Sequence, residues 1–119
     1  MNLNAIRALV GDWAGVSEDL KWGADHVFSV DQRMFCVLGM GASGMAGLTF
    51  KVDDDEFLGL TDRPGIVPAP YLARARWVQL AHAKAMPAAE VRQRLRRSYE
   101  LVAGKLSKRR QRELGLLPP

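Results

Sequence analysis

The stretch HVFSVDQRMFCVLG, residues 26 to 39, constrains this chain more than any other. Apolar and polar residues alternate on either side of Asp31-Gln32, the spacing of two antiparallel strands joined by a tight turn. A hairpin with an apolar face cannot stand alone in water, so the remaining residues must supply a cover. MAGLTFKV reads as a third strand, IVPAP as extended chain because each residue before a proline is pushed out of the helical region, and RWVQLAH as the last strand.

Helices fill the gaps between the strands. Asn2 caps a helix whose Leu3, Ile6, Leu9 and Val10 share one arc, with Gly11 as its stop. DDDEFLGLTD opens a short helix with its acids in the first turn, where the helix dipole favours them, and RPG ends it. Pro70 starts a single turn through YLARA. A long helix begins at Pro87 and places Val91, Leu95, Ser98, Tyr99, Val102 and Leu106 on one arc. DWAGVSEDLKWG is read as a loop packed on the core, because Trp13, Val16 and Trp22 are too apolar to leave in water. The expected fold is a single α+β domain in the order helix, three strands, helix, two strands, helix, with a mainly antiparallel sheet. It occupies residues 1 to 106, followed by a basic C-terminal tail over 107 to 119, a short helical turn and a loose end.

A chain of 119 residues is long enough to close one core without a metal or disulfide staple. No apolar run approaches the roughly 18 residues that span a bilayer, and MNLNAIRALVGD lacks the features of a secretory signal, so a cytoplasmic location is expected. The lone cysteine, Cys36, lies in MFCVLG and reads as a small buried hydrophobe. Residues 1 to 83 carry seven Lys/Arg against ten Asp/Glu, net −3, while residues 84 to 119 carry ten against three, net +7. A cationic last third attracts polyanions and also serves solubility.

Few residues suggest chemistry. Gly39 to Gly44, GMGASG, matches the dinucleotide-binding glycine pattern literally, but MAGLTFKV after it is strand-like where that fingerprint needs a helix, so a flexible hairpin tip is expected. Asp53, Asp54, Asp55 and Glu56 fan out around a helix start and do not converge on a metal. His26 and His82 are too few for zinc without thiols, and are read as surface or hydrogen-bonded. On the long helix, Glu90 pairs with Arg94 and Arg96 with Glu100, each four apart, which favours a solvated face.

Several stretches together resemble the MmcQ/YjbR family of small bacterial proteins: GVSEDLKWG, HVFSVDQRMFCVLG, PGIVPAPYLARARW and MPAAEVRQRLRRSYELVAGKLSKR. The family's fold is similar to that of secretion chaperones. It is labelled DNA-binding through a double-wing motif made by its hairpins, and it brings no catalytic residues to transfer. Arg33 and Arg74 fall where members often carry lysine and Trp77 where tryptophan is usual, whereas position 73, commonly polar, is Ala. GMGASGMAG makes a neutral second wing.

The resemblance, with the charge pattern, implies a non-catalytic module with no cofactor, binding DNA or another polyanion through Arg33, Arg74, Arg76, Trp77, Lys108, Arg109 and Arg110. Arg74 and Arg76 are either stems covering the rim of a core filled by Trp77, or the positive lip of a concavity walled by Tyr71 or Trp77. The alternative partner is a protein, a peptide or a second copy of the chain. Neither a membrane nor a metal is expected.

Overall fold

The computed structural model describes residues 2–22, 25–39, 47–82 and 84–119. Helix α1, Leu3–Val10, starts where the Asn2 side chain accepts the Ala5 N–H at 3.0 Å, and it buries Ile6 and Val10. Six strands follow: β1 (Val16–Lys21), β2 (Asp25–Val30), β3 (Arg33–Gly39), β4 (Thr49–Lys51), β5 (Ile66–Pro68) and β6 (Trp77–Leu80). A 3₁₀ turn, Asp54–Glu56, leads into α2, Phe57–Thr61, and another, Ala73–Ala75, precedes β6. Helix α3 is Ala88–Ala103 and α4 is Lys108–Glu113.

All strands pair antiparallel in one sheet, in the order β1-β2-β3-β4-β6-β5. The expected order of elements holds, with β1 inserted after α1 and α4 added at the end. Val16–Lys21 is thus an edge strand, not a packed loop. Its sequence, VSEDLK, has no apolar alternation, and five of its six residues are exposed. Pairing with β2 makes it a strand. Trp13 and Val16 do pack against the core, but Trp22 stands 69% exposed.

The two faces of the sheet differ. Phe28, Cys36, Phe50 and Val78 form one cross-strand row facing α1 and α3, where they join Val91, Leu95, Tyr99 and Val102 in the main core. On the other face, Val27, Val37, Ala69 and Trp77 form a smaller cluster, against which Met34 and Leu72 pack. The segment between β5 and β6 supplies Ala69 and Leu72, and so covers part of that face in place of a helix.

One hydroxyl locks α3 to the sheet. A register shift at Phe28/Ser29 makes Phe35 the extra residue of a bulge, and the β3–β4 pairing stops at Cys36↔Phe50. Ser98 Oγ bridges the next position, donating to Phe35 O at 2.6 Å and accepting from Lys51 N at 2.9 Å. The serine on the apolar arc of α3 is therefore a rung of the ladder. Beside it the Tyr99 hydroxyl donates to Ala14 O at 2.6 Å, and its ring packs with Trp13 and Phe35, centroids 5.2 and 5.5 Å away.

The chain end is packed, not loose. Ser107 caps α4 through the Arg110 N–H, and Leu114 and Leu116 lie against the core, Leu114 beside Gly15. Leu114 and Leu116, in LGLLPP, have enough apolar surface to bind there, a signal outweighed in the sequence by its charge.

Candidate functional site

The strand register brings the candidate cations to one end of the sheet. In an antiparallel sheet the start of β3, the end of β4 and the start of β6 lie side by side, and the turn before Arg33 lies at the same end. Arg33, which opens β3, and the Arg74–Arg76 segment, which leads into β6, thus flank the end of β4. Helix α4 reaches this end because Arg110 grips Asp31 in the hairpin turn, with Nη2 2.9 Å from Oδ1. Arg110 in turn holds the Asp31 carboxyl below its usual range through that hydrogen bonding.

The individual cations differ in what they can offer a partner. Arg33 and Arg74 are exposed and form no ion pair among the described residues. Lys108 is also exposed, and Arg109 is 90% exposed with only a 4.0 Å contact to Glu113. Arg110 is occupied by Asp31. Arg76 is half-occupied: its guanidinium lies 3.6 Å from Asp54 and 5.4 Å from the centre of the Phe57 ring. Trp77 is 5% exposed and belongs to the smaller core, so its ring is a filler and not a face held out to solvent.

Three of the four arginines of α3, Arg94, Arg96 and Arg97, are committed internally, while Arg92 is exposed and forms no ion pair among the described residues. Arg97 binds Asp53 through two hydrogen bonds of 2.8 and 2.7 Å, Arg94 binds Glu56 at 2.8 Å, and Arg63 clamps Glu90 at 2.6 and 2.9 Å. The helical pairs Glu90–Arg94 and Arg96–Glu100 form at 3.7 and 3.5 Å. Two of the acids of 53 to 56, Asp53 and Glu56, thus act both at a helix start and as counter-ions for α3. His26 Nδ1 lies 3.2 Å from Glu18, itself clamped by Arg7 at 2.7 Å, and the His82 ring packs against Gly65. Among the described residues no three His, Cys, Asp or Glu are grouped to hold a metal. Of the glycine-rich run, Met40 to Gly44 lie outside the described residues, and the next element is strand β4.

A concavity does exist, but not where the two arginines would line it. It lies on the smaller-core face of the sheet, has a volume of about 500 Å³, and is walled by Trp22, Met34, Pro70, Tyr71 and Leu72. Tyr71, expected from the sequence to wall a concavity lipped by Arg74 and Arg76, lines this one without them. Trp22, read from the sequence as packed on the core because it is too large and apolar to leave in water, lines this cavity instead.

These features define an α+β domain of one antiparallel sheet, helices on one face and a partly open concavity on the other, with a cation-rich end. The chain belongs to the YjbR family, whose family model matches residues 12–101. No curated protein matches it. Among solved structures it is similar to a Deinococcus radiodurans protein of domain family DUF419, at 25% identity and a TM-score of 0.85, covering 98% of this chain and 89% of that one. It also shares its fold with a protein from Pseudomonas syringae, at 20% identity and a TM-score of 0.68, covering 86% of this chain and 99% of the other. No described helix is long and apolar enough to cross a membrane.

Proposed function

We propose that this protein is a non-catalytic polyanion-binding module whose partner is nucleic acid. The observation that carries the reading is the Arg110–Asp31 pair, which fastens the basic last helix to the hairpin bearing Arg33. Lys108 and Arg109 on that helix and Arg33 beside that turn keep their charges available, and Arg74 precedes β6 at the same end of the sheet. Phosphate contacts of this kind position a partner without reading its sequence. Arg110 serves as the clip, Arg76 as a half-neutralised neighbour and Trp77 as packing of the smaller core on the other face.

The test is fluorescence anisotropy on labelled DNA at several salt concentrations. Affinity is expected to fall linearly with salt on logarithmic axes, and Lys108→Glu with Arg109→Glu should flatten that slope by about two. No binding at low salt overturns the reading.

A second reading, a peptide-binding module, draws on the exposed edge of Val16–Lys21, which could accept an added strand. Glu18, Asp19 and Lys21 place charges along that edge, a feature that discourages strand addition and ranks this reading second. A partner retained at high salt in pull-down experiments, or a second copy of the chain seen on sizing, would favour it.

A further inference from the structure

The open-face concavity combines features that core packing does not require. Tyr71 is fully exposed and Trp22 69% exposed, and both line the same cavity. Both have left-handed backbones, φ 65° and 50°, a conformation that bulky residues rarely adopt. Strain of this kind, held at two exposed aromatic rings around one cavity, is characteristic of ligand sites.

The floor and rim are polar in a specific way. Thr49 and Gln79 face each other across β4 and β6 at the bottom. The Gln79 carboxamide has no hydrogen-bond partner among the described residues, so it presents a donor and an acceptor side by side. Thr49 donates its hydroxyl hydrogen to Gly47 O at 3.2 Å, which leaves its oxygen to accept. Asp25, on the rim, can only accept when ionised and has no ion pair among the described residues. Apolar walls with stacking rings, a donor-acceptor pair below and a carboxylate at the side fit a flat heteroaromatic ring with an amino group on its edge. They do not fit a phosphate, which Asp25 repels.

We propose that this cavity binds a nucleobase bearing an exocyclic amine, stacked by Tyr71 and Trp22, with Gln79 on its hydrogen-bonding edge and Asp25 accepting from its amine. The base comes either from a free nucleoside or from an unpaired position in a single strand. The proposal stands on the cavity and not on the basic end of the molecule.

Tryptophan fluorescence tests it directly, because Trp22 is exposed whereas Trp77 is buried and Trp13 is packed on the core. Adenosine and cytidine are expected to quench saturably, and thymidine, which has no amine, at least tenfold more weakly. Tyr71→Ala, at a position with no packing to lose, should weaken adenosine binding about tenfold or more. Gln79→Leu should also weaken it, and Asp25→Asn should narrow the gap between adenosine and thymidine; circular dichroism checks the fold of each variant. A single-stranded adenine decamer that binds far more tightly than adenosine identifies a strand as the source, and equal affinity identifies the free nucleoside. No saturable quenching by any nucleoside at millimolar concentration, or quenching unchanged in both Tyr71→Ala and Gln79→Leu, overturns the proposal. Nucleosides are uncharged, so Lys108→Glu with Arg109→Glu leaves this binding intact, and the two readings fail separately.

Discussion

Arg110 and Asp31, 79 residues apart in the chain, share a two-pronged ion pair in which Arg110 Nε lies 3.1 Å from each carboxylate oxygen and Nη2 lies 2.9 Å from Oδ1. The pair joins the last helix to the tip of the β2–β3 hairpin. It also holds a strained turn, since Asp31 and Gln32 both have positive φ, 49° and 71°. Positive φ at both turn residues matches the twist of the flanking strands, and Asn-Gly is the sequence that adopts it most easily. This chain lacks Asn-Gly and has Arg110 instead.

Breaking that pair should expose its pH dependence. The Asp31 carboxyl is held below its unfolded value of about 3.9, so its contribution to stability is fully present above that pH. It is lost as pH falls through the lowered folded value. Asp31→Asn is therefore expected to be less stable than the wild type at pH 7, and the difference should shrink steadily in acid. Arg110→Ala should cost no more when Asp31→Asn is already present. Urea midpoints of the four proteins across the acid range check both points.

The Gln32 position offers the opposite change. Gln32 is exposed with φ 71°, where a side chain costs about 1–2 kcal/mol and glycine costs nothing sterically. Glycine loses about 0.5–1 kcal/mol through the greater freedom of the unfolded chain. Gln32→Gly is expected to stabilise the protein by about 0.5–1 kcal/mol in urea unfolding.

Ser98 is the more sensitive site. Removing its hydroxyl leaves Phe35 O and Lys51 N without their bridge between β3 and β4. Ser98→Ala should destabilise by about 1–3 kcal/mol, the range for an orphaned buried polar group. Amide exchange should report the loss first at Lys51, and unchanged protection there would contradict the bridge.

Cys36 should be inert in the native state. It is fully buried in the main core, and burial pushes its thiol well above the usual range. A thiol reagent such as DTNB is expected to react slowly at the rate of global unfolding, and at once in denaturant. Rapid reaction of the native protein would show that the core opens locally.

Some of this was legible residue by residue. The alternation in residues 26 to 39 located the central hairpin, and the arc from Val91 to Val102 located the buried face of α3 because amphipathic spacing reports burial directly. The Val16–Lys21 strand was not legible, since an edge strand exposed on both faces has no apolar period to read. Among the candidate cations, the sequence marked Arg33, Arg74 and Arg110 alike. Their fates differ because Asp31 lies within reach of Arg110, while Arg33 and Arg74 have no ion-pair partner among the described residues.

Local spacing alone determined which segments turn an apolar side inward, where helices start, and that the last third is strongly cationic. The tertiary structure decided which charges remain available, which serine becomes a rung of the sheet, and that Trp22 and Tyr71 stand out in solvent around a shared cavity. Those outcomes depend on contacts between residues tens of positions apart. Such contacts follow from how the strands are ordered across the sheet, and periodicity within a segment carries no record of that order.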